Sequence, residues 1–212
     1  MNKPQGQRIA YGERVLIFEI EDAYLVYVIP VLSVLIDEFI LDSIFSKDFI
    51  LDWIPVRFIS AGRNIFIQEP SRENLTWRED ITSTIRDYIG RREFHKSANV
   101  EITAFRYNQG IAVQNGLELG ATMVFLRAHP GSEYSSGWKV VSAEVWNSPE
   151  TLDGLSNDDY FTTNILEFVD TVGRYITQAL SLPPQSVFAF RAGRESVLYL
   201  PENNRLKINL LI

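Results

Sequence analysis

Three groups of residues in this chain have types and spacing that suit chemistry or ligand binding. His129 and Glu133 are four apart in the run HPGSE, after an apolar stretch. An imidazole held by a carboxylate can polarise a water, which is the arrangement of a general base. Glu144, Asp153 and Asp158, with Asp159 beside them, are the best carboxylate set for a divalent ion. Magnesium needs few protein ligands because it keeps most of its waters. With Lys139 nearby, these acids would suit a metal-dependent hydrolase or nuclease. The spacing opposes that reading, because residues five apart point to opposite faces of one regular strand, and Lys139 and Glu144 are such a pair. A solvated loop that caps the next helix explains the acids more cheaply.

The third group is basic. Arg86, Arg91, Arg92 and Lys96 cluster in sequence, with Tyr88, Phe94, Arg106 and Tyr107 close by. Cations among aromatics can grip single-stranded nucleic acid, so Arg91 and Arg92 would be the centre of a nucleic-acid-binding or regulatory adaptor. The charge balance disfavours nucleic acid as a partner. There are 27 acidic against 20 basic residues, a net charge of −7, and phosphate neutralisation needs clustered cations in excess. An acidic patch on another subunit would match the cluster equally well. His95, in RREFHKS, reads as a solvent-facing residue at a helix exit rather than as a base.

The chain has no Cys and only two His. That excludes disulfides, thiolate zinc sites and cysteine nucleophiles, and leaves too few imidazoles for a His-rich metal centre. No GxSxG, HExxH, P-loop, dinucleotide fingerprint or EF-hand spacing is present. No cofactor is implied, and the reading leans away from an enzyme.

The elements that must position these residues form an α+β pattern. We expect a polar N-terminal arm over residues 1–13 and a single α+β domain over 14–212. The domain is an antiparallel β-sheet meander over 100–147 flanked by two or three helices, with a possible C-terminal β-hairpin extension. Val15 to Glu21 reads as a strand, with Tyr24 to Ile29 as its hairpin partner. Pro30 fits the first turn of a helix running to about Phe45, although a strand over 24–36 competes with it. Thr76-Trp-Arg-Glu79 has capping-box spacing and would start a helix ending near Gly90. Within the meander, Val100 to Ala104, Leu117 to Arg127 and Trp138 to Trp146 read as strands, with Asn115-Gly116 as a turn. Phe161 to Leu180 reads as one helix with Gly173 inside it. Residues 56–70 and 187–201 share an apolar run, Ala-Gly-Arg, and a second apolar run ending in Pro. Both read as hairpins with the glycine in the left-handed region.

From these features we expect a non-enzymatic structural subunit of a multi-subunit assembly, most concretely a tail, neck or baseplate component of a virus or phage particle. Its partners would be copies of itself or other subunits. The expected interface residues are Met1, Lys3 and Arg8 in the arm, Arg63 and Arg194 at the hairpin tips, Arg91 and Arg92, and Leu210 and Ile212 in the apolar final run LKINLLI. The most apolar stretch, Tyr24 to Ile36, is interrupted by Pro30 and ended by Asp37-Glu38, and reads as too short to span a bilayer. MNKPQGQRIAYGER has no apolar core, so no signal peptide is expected. The expected location is the cytoplasm or an assembled virus particle, not the secretory route.

Overall fold

Gly12, at φ +57°, lets the chain reverse tightly enough for Gln5–Tyr11 (β1) to pair antiparallel with Arg14–Ile20 (β2). Residues 5–11 are therefore sheet, in place of the expected arm. The structure, a computed structural model, describes residues 3–71, 76–118, 121–148, 153–173, 176–190, 196–199 and 205–208. The chain divides into two compact units, Met1–Ile89 and Gly90–Ile212. The fold is α+β, with two mixed sheets flanked by helices and no barrel closure.

In the first unit β2 buries alternate residues, Leu16, Phe18 and Ile20. Asp22–Tyr27 then forms a 3₁₀ turn, not the expected partner strand, and leads into α1 (Val28–Asp42). Pro30 sits in the first turn of α1, where a missing N–H costs nothing. Ser43, left-handed at φ +52°, ends the helix. Val28, Leu32, Ile36 and Phe39 recur every three or four residues and are buried against the sheet. That periodicity selects helix over the competing strand.

Ser46–Leu51 (β3), Ile54–Ala61 (β4) and Asn64–Pro70 (β5) follow. The Ala-Gly-Arg turn joins β4 to β5 with Gly62 at φ +62°, as the sequence predicts. Pro55 has no N–H to give, and pairing of β4 with β5 runs only from Arg57 to Ala61. The strand order is β1-β2-β5-β4-β3, with β2 and β5 parallel, and Trp77–Arg78 (β6) pairs with the end of β5. That pairing draws Trp77 and Arg78 out of the expected helix. Helix α2 instead begins at Thr82 and runs to Ala98. Asp80 Oδ1 accepts the Thr82 N–H at 3.0 Å, and Glu69 Oε2 accepts the Thr84 N–H at 2.8 Å. Glu69 is fully buried and also pairs with Arg78. Burial raises its pKa, opposed by Arg78 and the Thr84 N–H.

In the second unit α2 continues through Gly90, where a Cβ would come within 3.2 Å of Gln178 Nε2. The strands are Gly110–Gln114 (β7), Met123–Arg127 (β8), Ser135–Ser142 (β9), Tyr160–Asn164 (β10), Val187–Phe190 (β11), Ser196–Tyr199 (β12) and Arg205–Ile208 (β13). Their order is β10-β7-β9-β8-β11-β12-β13, with β7 and β9 parallel and the other pairs antiparallel. The expected meander shrinks to the β8–β9 hairpin. Val100 to Ala104 is not strand, and β8 begins at Met123 where the sequence suggested Leu117. Ser142 ends β9 by accepting the Val145 N–H at 3.2 Å, which starts the short helix α3 (Ala143–Trp146). The single helix expected over 161–180 is broken. Residues 160–164 pair with β7, Asn164 caps α4 (Ile165–Val172), and Gly173 ends α4 at φ +123° rather than lying inside it. Thr177–Leu180 forms α5. Phe125 anchors the core, with ring centroids 6.3 Å from Trp138, 5.9 Å from Phe168 and 6.0 Å from Phe188.

One glycine tests the β8–β9 connection. Gly137 sits at φ +77°, and a Cβ there would overlap the Ala128 carbonyl oxygen, whose backbone pairs with it. Gly137→Ala adds a displaced backbone to the left-handed penalty of ~1–2 kcal/mol, so a loss of roughly 2–4 kcal/mol is expected. Gly62→Ala, with open space around it, should cost only about 1 kcal/mol. Urea unfolding of the two variants side by side checks the difference.

Candidate functional site

His129 and Glu133 are both exposed, and no hydrogen bond joins them among the described residues. The Glu133 carbonyl accepts instead from Gln109 Nε2 at 3.0 Å. Glu144, Asp153 and Asp158 are exposed as well. Glu144 lines an open hollow with Gln114, Glu118, Thr122 and Ser142, and Gln114 Oε1 is already taken by the Ser142 N–H at 2.8 Å. Asp159 closes a capping box with Ser156, accepting its N–H at 2.7 Å and its hydroxyl at 2.9 Å, and these bonds lower its pKa. Asp158 lies in the 3₁₀ turn that this box begins. Among the described residues no group of three or more His, Asp or Glu is placed to hold a metal ion.

Of the expected interface residues, Lys3, Arg8, Arg63 and Arg92 are exposed. Arg63 Nε donates to the Glu13 carbonyl at 3.1 Å. Arg91 is corrected from surface to interior, at 1% exposure, so it does not share an exposed basic face with Arg92. Met1, Arg194, Leu210 and Ile212 lie outside the described residues.

Arg91 belongs to a buried polar cluster that sequence reading missed. Arg91 and His95, one helical turn apart, both face inward from α2. The solvent-facing expectation for His95 is corrected, since it is 3% exposed. Its Nδ1 lies 3.2 Å from the Val100 carbonyl, which can only accept, so Nδ1 carries the proton. Nε2 is then the acceptor for the Ser181 hydroxyl at 2.7 Å. Arg91 Nε also donates to Ser181 Oγ, at 3.3 Å. Beside them the end of α5 gathers donors, as helix C-termini require. Trp138 Nε1 donates to the Leu180 carbonyl at 2.8 Å, and Arg127 Nη1 donates to the carbonyls of Leu180 and Leu182. Burial pushes the His95 pKa down, the Val100 carbonyl opposes that, and the Arg91 charge adds to it. Arg127 is lowered to about 10 by burial and by Arg91. A hydroxyl on an oriented imidazole has the connectivity of a nucleophile with its base. Ser181 is 0% exposed, however, so the pair has no access for substrate and serves to tie α5 to α2. The only trace of it in the sequence is the four-residue spacing of Arg91 and His95.

The first unit presents an open surface. On α1, the side away from the sheet carries Val34 and Leu41, 74% and 82% exposed, in line with Tyr27 just before the helix. Val26 and Phe45 extend the apolar surface at its two ends. The carboxylates flanking this stripe are engaged within the chain. Asp37 accepts from the Tyr11 hydroxyl at 2.8 Å, and Glu38 and Asp42 each accept from Lys47 Nζ at 2.7 Å. Tyr11 and Lys47 stand on the two edge strands, β1 and β3. Asp22–Asp42, taken with its 3₁₀ turn, is a 21-residue helical segment, long and apolar enough to cross a membrane by length and composition. In the structure one face of the segment is packed on the sheet.

Comparison of the chain with protein-family models, with curated proteins and with solved structures finds no match.

Proposed function

We propose that this protein is a non-enzymatic structural subunit of a multi-subunit assembly, and that it joins its neighbours through the outer face of α1. The observation that carries this reading is the row of large apolar side chains facing away from the sheet on α1. Contiguous exposed apolar surface of this kind marks interaction sites in soluble proteins. Among the described residues no three His, Asp or Glu are placed to hold a metal ion, and Arg91 is buried, so no observation favours the hydrolase or nucleic-acid readings. A virus or phage particle, in its tail, neck or baseplate, is the setting we propose for such a subunit.

Native mass measurement of the full chain over a rising concentration series is the test. An oligomer of defined stoichiometry is the expected result. A monomer at every concentration, with no partner subunit retained from its source, would sink the reading.

A further inference from the structure

We propose that the cleft where α1 ends over the first sheet binds a phosphate monoester, held by Arg14 and Arg63, with its organic group lodged between α1 and strands β4 and β5. The site is independent of the assembly reading. Strands β2 and β5 run parallel, with Val15 beside Asn64 and Leu16 beside Ile65. Leu16 and Ile65 are both buried in the core. Side chains alternate between faces along a strand. Arg14, which opens β2, and Arg63, which immediately precedes β5, therefore point the same way at the end of the core face. Each guanidinium also reaches to the other's hairpin. Arg14 Nη1 donates to the Gly62 carbonyl at 2.7 Å, and Arg63 Nε donates to the Glu13 carbonyl at 3.1 Å. These bonds hold the pair in place and leave each guanidinium with further N–H donors. Among the described residues neither Arg14 nor Arg63 forms an ion pair.

The two arginines and Glu13 line a hollow of about 430 Å³. Arg14 is also a wall of a second hollow, of about 80 Å³, lined by Phe39, Ile40, Ile44 and Ile65 with Ser43 and Ser60. The first hollow decides the head of the ligand. Like charges side by side repel, and an arginine does not shed its proton, so an anion of high charge relieves the pair best. A phosphate monoester carries roughly −2 charge and three acceptor oxygens, more than a carboxylate offers. The guanidinium fork takes such oxygens two at a time. Glu13 opposes the anion and holds its affinity down. The second hollow decides the tail. Its walls are largely apolar, and each methylene buried there tightens binding by roughly fourfold, so a short alkyl ester is preferred to bare phosphate.

Calorimetric titration of the full chain with inorganic phosphate and with butyl phosphate, at low ionic strength, is the test. Phosphate is expected to bind with a Kd on the order of millimolar, and the butyl ester at least about fivefold more tightly. Arg63→Ala is expected to weaken both by about tenfold or more, the loss of a charge-assisted, two-pronged contact. Glu13→Gln keeps the backbone carbonyl that Arg63 uses and is expected to tighten both about threefold. A purely structural clasp would give no such gain, and this variant stays informative if Arg63→Ala fails to fold. No phosphate binding by the wild-type chain, or unchanged affinity in both variants, overturns the site. Equal affinity for phosphate and its butyl ester overturns the role of the apolar hollow. Phosphatidylcholine vesicles containing phosphatidic acid, whose headgroup is also a phosphate monoester, form the second arm. Retention on them that Arg63→Ala abolishes supports the same site with a lipid as the source, whereas binding of the free ester alone supports a small soluble ligand. A chain that binds butyl phosphate but stays monomeric overturns the assembly reading alone.

Discussion

Phe58→Ala is expected to cost about 3–5 kcal/mol of stability in the unit Met1–Ile89, the range for deleting a fully buried phenyl ring. Phe58 is 0% exposed and lies on β4, between β3 and β5. Its ring meets Phe39 edge-on at 5.6 Å and Phe49 at 5.3 Å. Truncation removes the apolar transfer term and leaves a cavity as well. The surrounding side chains stand on a paired sheet and a capped helix, so they close that cavity only in part. The effect should reach α1, since Phe39 is the last of its buried anchors. Urea unfolding followed by hydrogen exchange should show protection falling in β2, β4, β5 and α1. Ile50→Ala, at a position 48% exposed on β3, should stay within about 0.5 kcal/mol. Similar losses for the two variants would show that the aromatic core is not where the structure puts it. Because Phe39 seats the helix, Phe58→Ala should also weaken any association that depends on α1.

What could be read from the sequence was local. The helix start at Pro30 and the turn at Gly62 depend on residues close in sequence, and helix-terminus and turn chemistry report them. Pairings between distant strands leave no such mark. Nothing near β7 signals that it runs parallel to β9 and beside β10, so Phe161 to Leu180 looked like a single helix. The Thr76 capping pattern misled for the same reason. The true caps of α2 are Asp80 and Glu69, and Glu69 reaches the helix from another strand. The candidate sites divided along the same line. The apolar character of α1 was plain in its composition, but the engagement of Asp37 by Tyr11 and of Glu38 and Asp42 by Lys47 needs the folded sheet edges. His95 and Ser181 are separated by 86 positions, and only the fold brings them within hydrogen-bond distance.

Acid should destabilise the unit Gly90–Ile212 through His95. Burial, together with Arg91, holds the imidazole pKa below its ordinary value of 6.5 in the folded chain. Above pH 6.5 the ring is neutral in both states and its interactions with Val100 and Ser181 are intact. As pH falls through 6.5, the unfolded chain takes up a proton that the folded chain refuses, so the free energy of unfolding drops with pH. The loss ends only below the lowered folded pKa, where both states are charged. Protonating the folded chain is costly because the new charge would join Arg91 and Arg127 in the interior, and burying an uncompensated ion costs several kcal/mol. Nε2 would also change from acceptor to donor, and the Ser181 hydroxyl would have to turn its proton to the Gln178 carbonyl, 3.0 Å away. His95→Gln removes the titration, with the amide free to donate to the Val100 carbonyl. Unfolding free energies measured at steps from pH 7.5 to pH 5 should therefore fall steeply for the wild-type chain and less for His95→Gln, while His129→Gln, altered in an exposed loop, should follow the wild type. An identical slope in His95→Gln would place the proton uptake on another group and show that the buried imidazole does not control the acid limb.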